Sequence, residues 1–201
     1  MPAATPEAAP SYTGPMATKL DAMRSALVLV DYQQRLLPAI DGAEAVLRDA
    51  LFLARVARAL DVPVLGTEQN PAGLGPNEAR VRAACDATLA KRHFDAAADG
   101  LADALRARRP GIEHVVVAGC EAHVCLLQTA LGLRRAGLCV AVVPEACGSR
   151  RRDDKALAMQ RLAAEGIVLI GAEMLAFEWL HSCDHPRFRD VLALVKQRPV
   201  P

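Results

Sequence analysis

Short apolar segments recur along the chain, and segments with helical spacing separate most of them. The apolar segments span residues 26–30, 62–66, 88–90, 114–118, 140–143 and 167–170. Continuous runs of Val, Leu, Ile and Ala of this length are typical of strands that are buried on both faces of a sheet. We therefore predict six strands, of which the third is the weakest.

The segments between these runs place their apolar residues three or four positions apart. This spacing predicts longer helices over residues 43–60, 101–108, 124–135 and 153–165, and shorter helices over residues 173–180 and 187–196. Gly137 and Gly166 follow two of these segments and are typical helix ends. Strands that alternate with helices predict a three-layer α/β/α domain, with a doubly wound, Rossmann-like parallel sheet of six strands.

The N-terminal segment differs in composition from the rest of the chain. Residues 1–22 are rich in Pro and Ala and show no periodicity, so we predict a disordered leader. Residues 23–201 then form one domain with a sizeable core.

Composition narrows the classes of partner. The formal net charge is +1 and aromatic residues make up only 3% of the chain, which disfavours nucleic-acid binding. No apolar run reaches the length of a membrane span, so we expect no membrane partner. Six cysteines without a preceding signal peptide indicate free thiols in a protein that we expect to be cytoplasmic.

Three reactive side chains follow predicted strands. Asp31 comes after the first strand, Lys91 after the third, and Cys125 after the fourth and a short loop. In a doubly wound sheet the functional crevice lies beyond the carboxyl ends of the strands, so these three side chains are expected at one rim. The alternatives are a structural ion pair between Asp31 and Lys91 and an inert core thiol at Cys125.

Four longer motifs contain or surround these residues. They are LVLVDYQ at residues 27–33, KRHFDA at residues 91–96, AGCEAHVCLLQTALGL at residues 118–133 and VVPEACGSR at residues 142–150. In sequence, order and spacing, these motifs resemble the isochorismatase-like cysteine hydrolase superfamily, which includes nicotinamidases and N-carbamoylsarcosine amidohydrolase. The resemblance spans roughly residues 25–178, nearly the whole predicted domain.

The resemblance implies a catalytic triad of Asp31, Lys91 and Cys125. It also implies a cis peptide bond between Cys120 and Glu121, and an oxyanion hole formed by the N–H groups of Glu121 and Cys125. The implied reaction is hydrolysis of a C–N bond in a small amide, carbamoyl or ureido substrate through a thioester. We expect Lys91 and the helix N-terminus to stabilise the Cys125 thiolate, and Asp31 to accept the thiol proton.

The chain also departs from the family pattern. Nicotinamidases carry a metal site with Asp and His ligands after the second strand, whereas TEQNPAGLGP at residues 67–76 contains no histidine. We therefore predict no metal and no cofactor. The same segment resembles the subgroup called isochorismatase domain-containing proteins. Members of this subgroup commonly have Lys at the position of Ala72, and often have Ser at the position of Asp95 in the KRHFDA motif.

The walls of the substrate pocket are harder to predict than the triad. Our candidates are Gln33, Gln69, Phe94 and Ala122, and the alternative for Phe94 is core packing. We assign His123 to a loop or an interface rather than to a Cys–His dyad. The HSCDH segment at residues 181–185 is interpreted as a polar loop rather than a metal site. The apolar C-terminal region favours a homo-oligomer.

Other functions remain open at this stage. One is cleavage of a vinyl ether, as true isochorismatases perform without a cysteine nucleophile. Another is a non-enzymatic interaction protein that retains the scaffold. Nucleotide binding on a Rossmann-like sheet is disfavoured, because DYQQRL follows the first strand in place of a glycine-rich turn.

Overall fold

A sheet of six parallel strands forms the centre of the computed structural model, which describes residues 19–198. The strands are β1 (Ser25–Val30), β2 (Val64–Gln69), β3 (Ala87–Lys91), β4 (His114–Gly119), β5 (Cys139–Val142) and β6 (Val168–Leu169). Their order across the sheet is β3-β2-β1-β4-β5-β6, and every neighbouring pair is parallel. The predicted doubly wound α/β fold is confirmed.

Eight helices connect and cover the strands in the described part of the chain. They are α1 (Ala43–Ala59), α2 (Pro71–Leu74), α3 (Ala79–Ala84), α4 (Leu101–Arg108), α5 (Leu127–Arg135), α6 (Arg152–Ala164), α7 (Ala172–Leu180) and α8 (Phe188–Lys196). A turn of π-helix, Ala122–Leu126, precedes α5. None of the helices within residues 19–198 combines the length and the apolarity that crossing a bilayer requires.

Two parts of the pattern were predicted incorrectly. The second strand lies at Val64–Gln69 rather than at residues 62–66. Its second half is polar and carries no apolar signature, but its backbone pairs with β3 as far as Gln69. Helices α2 and α3 were not predicted, because Pro and Gly interrupt the apolar periodicity of residues 71–84.

The core extends slightly beyond the predicted domain boundary. Every residue of β1 and β4 is buried, as expected for central strands. Leu20 and Ala22 are also buried, and the Leu20 N–H donates to Glu178 Oε2 at 2.9 Å. Packing therefore begins before residue 23. The predicted leader falls largely on residues 1–18, which lie outside the described residues.

The topology places one crevice at the centre of the sheet. The chain runs outward from β1 through β2 to β3, and then returns to the other side of β1 as β4. The carboxyl ends of β1 and β4 therefore flank the topological switch point, where ligands bind in open α/β sheets. Asp31 follows β1 and Cys120 follows β4, so the fold brings both segments to this point.

Gly119 allows β1 and β4 to approach each other at this position. Its φ is +155°, and a Cβ built there would overlap the backbone carbonyl of Val30. The Cys120 N–H then donates to that same carbonyl at 2.9 Å. A side chain at residue 119 would push apart the two strands that form the crevice.

We predict that Gly119→Ala lowers the free energy of unfolding by about 3 kcal/mol or more, because the new Cβ overlaps rigid backbone. Gly111→Ala is the matched control, since Gly111 also has positive φ, at +81°, but has open space around a Cβ. It should cost only about 1 kcal/mol, the backbone penalty. Urea unfolding of both variants measures the difference, and equal losses would contradict the prediction.

Candidate active site

Asp31 lies directly after β1 and is completely buried. Its backbone has φ of +54°, in the left-handed region that non-glycine residues seldom occupy. The Asp31 N–H donates to the Thr67 carbonyl at 3.2 Å, and the Thr67 hydroxyl donates to Asp31 Oδ1 at 2.6 Å. Thr67 therefore fixes both the backbone and one carboxylate oxygen of Asp31.

Lys91 is the last residue of β3 and is 1% exposed. Its Nζ lies 2.8 Å from Asp31 Oδ2 and donates to Gln69 Oε1 at 2.7 Å. A buried ion pair persists only where each charge is compensated by its partner and by further hydrogen bonds. Gln69 supplies such a bond to the ammonium, so Lys91 has little freedom to move.

Asp31 Oδ2 differs from Oδ1 in its hydrogen bonding. Lys91 Nζ lies 2.8 Å from Oδ2 as its ion-pair partner, and Oδ2 accepts no further hydrogen bond from residues 19–198. Because a carboxylate oxygen has two lone pairs, Oδ2 retains capacity to accept a proton or a donor beside Lys91.

Cys125 lies in the π-helical turn that follows β4. The Glu121 carbonyl accepts hydrogen bonds from Val124 N–H at 3.0 Å and from Leu126 N–H at 3.2 Å, which defines the wide turn. The Cys125 side chain is within hydrogen-bonding reach of both Asp31 and Lys91. The structure thus brings together the three side chains that the sequence placed at one rim.

Burial controls the ionisation of this thiol. It raises the pKa of Cys125 to about 12, with a further increase from the negative charge of Asp31 and a smaller, opposing effect of Lys91. Lys91 stabilises the thiolate, as expected, but burial outweighs this effect. Cys125 is a neutral thiol at neutral pH, and it requires a base in order to act as a nucleophile.

The backbone around Glu121 adopts the predicted cis peptide bond with Cys120. The Ala122 N–H donates to the Gly148 carbonyl at 2.8 Å, whereas the Glu121 N–H has no acceptor among the described residues. The Glu121 carboxylate accepts from the Arg150 side chain and backbone, both at 3.0 Å. This carboxylate is thus held by Arg150, and the Glu121 N–H remains available to a ligand.

The four pocket candidates have different environments. The Gln33 side-chain amide donates to the Gln69 carbonyl and accepts from the Gln69 N–H. The Gln69 Nε2 donates in turn to the Arg92 carbonyl at 2.8 Å. These amides hold β2 and Lys91 in place, which the sequence did not indicate. Ala122 is fully buried, whereas Phe94 is 51% exposed, so core packing of Phe94 is wrong.

His93 contacts Lys91 through its backbone, since its carbonyl accepts from Lys91 Nζ at 3.4 Å, whereas the other histidines considered have different partners. His123 Nδ1 is 3.0 Å from Ser149 Oγ, and its Nε2 is 4.0 Å from Asp154 Oδ2. Residues 181–185 form an exposed loop, apart from the half-buried His185. Within residues 19–198, no group of three or more His, Cys, Asp or Glu side chains is arranged to hold a metal.

Asp95, where the subgroup that the chain resembles often has Ser, has a local structural role. Its carboxylate accepts from Ala97 N–H and from the Arg135 guanidinium, both at 2.9 Å. A Cβ on Gly132 would overlap this carboxylate, so the loop after β3 packs tightly on α5. Thr129 adds two hydrogen bonds to the same loop, with the Ala96 N–H and the Phe94 carbonyl.

Comparison with known proteins gives consistent matches. The model of the isochorismatase domain matches residues 25–174. Isochorismatase domain-containing protein 2A of Mus musculus is 34% identical over 180 residues, which cover 88% of this chain and 84% of that protein.

Solved structures show the same architecture. One described as MAR1 ribonuclease from Caenorhabditis elegans superposes with a TM-score of 0.83 at 27% identity, and covers 92% of this chain and 99% of that one. The YcaC gene product of Escherichia coli, described as an octameric hydrolase of unknown specificity, has a TM-score of 0.76 at 23% identity, with 92% and 98% covered.

We predict that iodoacetamide labels Cys125 about a hundredfold more slowly than the exposed Cys183 at pH 7.5, and that the Cys125 rate rises without a plateau up to about pH 11. Asp31→Asn should speed the labelling of Cys125, because Asp31 raises its pKa, and Lys91→Met should slow it. Peptide mass spectrometry measures each site separately, and Cys183 controls for the reagent. A plateau below pH 9 would contradict the prediction.

Proposed function

The chain belongs to the isochorismatase domain family, and we propose that it is a cysteine hydrolase that cleaves a C–N bond of a small amide, carbamoyl or ureido compound without a cofactor. Its scaffold is that of the isochorismatase-family hydrolases. The observation that carries the proposal is the buried convergence of Asp31, Lys91 and Cys125 at the switch point of the sheet. We assign these residues as base, cation and nucleophile.

The first half of the reaction begins with a proton transfer. Because the Cys125 thiol is neutral, its proton passes to Asp31, for which Oδ2 has an open acceptor position. Lys91 offsets part of the negative charge on sulfur, since it lowers the pKa of this thiol. Sulfur then attacks the substrate carbonyl carbon, and the carbonyl π electrons move onto oxygen.

The tetrahedral intermediate needs donors for its negative oxygen. We assign this role to the N–H groups of Glu121 and Cys125, and the unoccupied Glu121 N–H supports the assignment. As the intermediate collapses, the C–N bond breaks, and Asp31 returns the proton to the departing amine nitrogen. The product of this half is a thioester between the acyl group and Cys125.

Water completes the cycle. Asp31 takes a proton from a water molecule, whose oxygen attacks the thioester carbonyl. The second tetrahedral intermediate expels sulfur, which recovers the proton from Asp31, and the acid leaves. The enzyme therefore ends with Cys125 as a thiol and Asp31 as a carboxylate, as it began.

A small substrate fits this site better than a polymer. Asp31 and Lys91 are essentially inaccessible, and Cys125 is 6% exposed. A polynucleotide backbone would need an open groove of positive charge, and the net charge of this chain is only +1. Ribonuclease activity, as in the description of the Caenorhabditis elegans neighbour, is therefore not our proposal. That no metal and no cofactor take part, and that the chain forms a homo-oligomer, stay predictions.

We predict that wild-type protein releases amine or ammonia from at least one member of a panel of small amides, carbamoyl amino acids and ureido acids. Cys125→Ser and Asp31→Asn should each reduce this activity about a thousandfold or more, because each removes a group that takes part in every bond change. Cys183→Ser is the matched control for loss of a thiol and should keep full activity, since Cys183 is exposed in a separate loop. Hydroxylamine should trap the thioester as a hydroxamate.

The same panel separates the alternatives. It includes a vinyl ether and mixed-sequence RNA. Activity that survives Cys125→Ser would favour a reaction without a sulfur nucleophile, such as vinyl ether cleavage. Hydrolysis of RNA and of no amide would contradict the proposal in favour of a nuclease. Folded wild-type protein that cleaves nothing on the panel and gives no hydroxamate would favour an interaction protein.

A further inference from the structure

One cavity of the protein lies away from the candidate active site. It has a volume of about 570 Å³ and lies between helices α1 and α3. This volume is within the range of pockets that hold small organic ligands, about 300–1,000 Å³. None of the residues that we assign to the hydrolytic reaction lines it.

The cavity has an apolar floor. Leu51, Ala54, Ala83 and Ala84 contribute to its lining. The lining residues of α1 recur every three or four positions, at 44, 48, 51, 55 and 58, so they form one face of the helix. The charged residues of that face are exposed, whereas Leu51 is half-buried and packs against the core.

The walls of the cavity are strongly basic. Four arginines line it against a single carboxylate, that of Glu44. Arg80 is paired with Glu78 at 2.9 Å, and Arg48 lies 3.9 Å from Asp49. Arg55 and Arg58 have no carboxylate partner among the described residues.

Arg58 is nevertheless held in place. Its Nη2 donates to the Ala84 carbonyl at 3.2 Å and so bridges α1 to the end of α3. A second cavity of about 290 Å³, which Asp61 and Asp86 also line, shares Arg58 and Ala84 with the first, so Arg58 lies between the two cavities. A positioned guanidinium beside an apolar floor is suited to a ligand with an acidic head and an apolar body.

We propose that this cavity binds a small amphiphilic anion, with its carboxylate or phosphate on Arg55 and Arg58 and its apolar part on Leu51 and the alanines. The charge of the walls selects the anionic head, because four arginines line the cavity beside one lining carboxylate, Glu44, and the nearby Glu78 pairs with Arg80 alone among these arginines within the described residues. The concave shape of the cavity favours a free small molecule over a flat membrane surface. The proposal is independent of the hydrolase assignment, since it uses other residues on the outer face of α1.

Isothermal titration of the full chain with decanoate tests the proposal. We expect one saturable site with a dissociation constant below about 1 mM, given the efficiency of ligands of this size. Decanol, which has the same chain and no charge, should bind at least about tenfold more weakly. The affinity for decanoate should also fall as salt rises, because the site is open to solvent and ionic screening acts on it.

Two variants locate the site. Arg55→Gln/Arg58→Gln should weaken decanoate binding about tenfold or more, whereas Arg161→Gln/Arg189→Gln, the same change of charge at exposed positions elsewhere, should leave it unchanged. Leu51→Glu should abolish binding, since it adds a carboxylate three residues after Arg48 and four before Arg55. Leu51 is half-buried and packs against the core, so circular dichroism checks the fold of this variant, and the Arg55→Gln/Arg58→Gln variant, with exposed side chains, decides the outcome if Leu51→Glu does not fold.

Several results would overturn the proposal. They are a lack of saturable decanoate binding by folded wild-type protein, equal affinity for decanol, and wild-type affinity in the Arg55/Arg58 variant. Co-sedimentation with phosphatidylserine vesicles without binding of free decanoate would assign the arginines to a membrane surface instead. Amide hydrolysis measured in the same variants should remain at the wild-type level, which separates this test from that of the proposed reaction.

Discussion

The ion pair between Asp31 and Lys91 is the interaction on which the rest of the site depends. Both charges are removed from water, and such a pair persists only if geometry and hydrogen bonds repay the desolvation. The sheet meets this requirement by placing β2 between the two residues, so that Thr67 bonds the carboxylate and Gln69 the ammonium. Loss of either charge would leave the other buried and uncompensated. The same pair sets the environment of Cys125, through opposing effects on its pKa.

Much of the fold and the positions of the reactive residues could be predicted from sequence, for one physical reason. Parallel strands that are buried on both faces must be apolar throughout, so β1 and β4 are visible as runs of Val, Leu and Ala. The carboxyl ends of such strands share an edge, so the residues that follow them meet. This rule needs only strand order and no knowledge of side-chain contacts.

Features that depend on tertiary contacts could not be predicted in this way. The ionisation of Cys125 depends on how much water reaches the sulfur, and burial outweighs the stabilising effect of Lys91 on the thiolate. Gln33 and Gln69 stay candidates for the pocket walls, and no sequence signal indicated that their amides also bond neighbouring backbone and Lys91. Polar strand residues such as Thr67 carry no apolar signature, and short helices with internal Pro or Gly, such as α2, show no periodicity.

The left-handed backbone of Asp31 restricts which amino acids this position can accept. Aspartate and asparagine tolerate such a conformation better than other residues with a side chain, while glutamate does not share this tolerance. An exchange between the two acidic residues, which is conservative on most protein surfaces, would here combine an unfavourable main-chain geometry with a carboxylate displaced by one methylene. The choice of acid is therefore made by the peptide backbone as well as by the chemistry, and a homologue that carries glutamate at this position would need a differently shaped turn after its first strand.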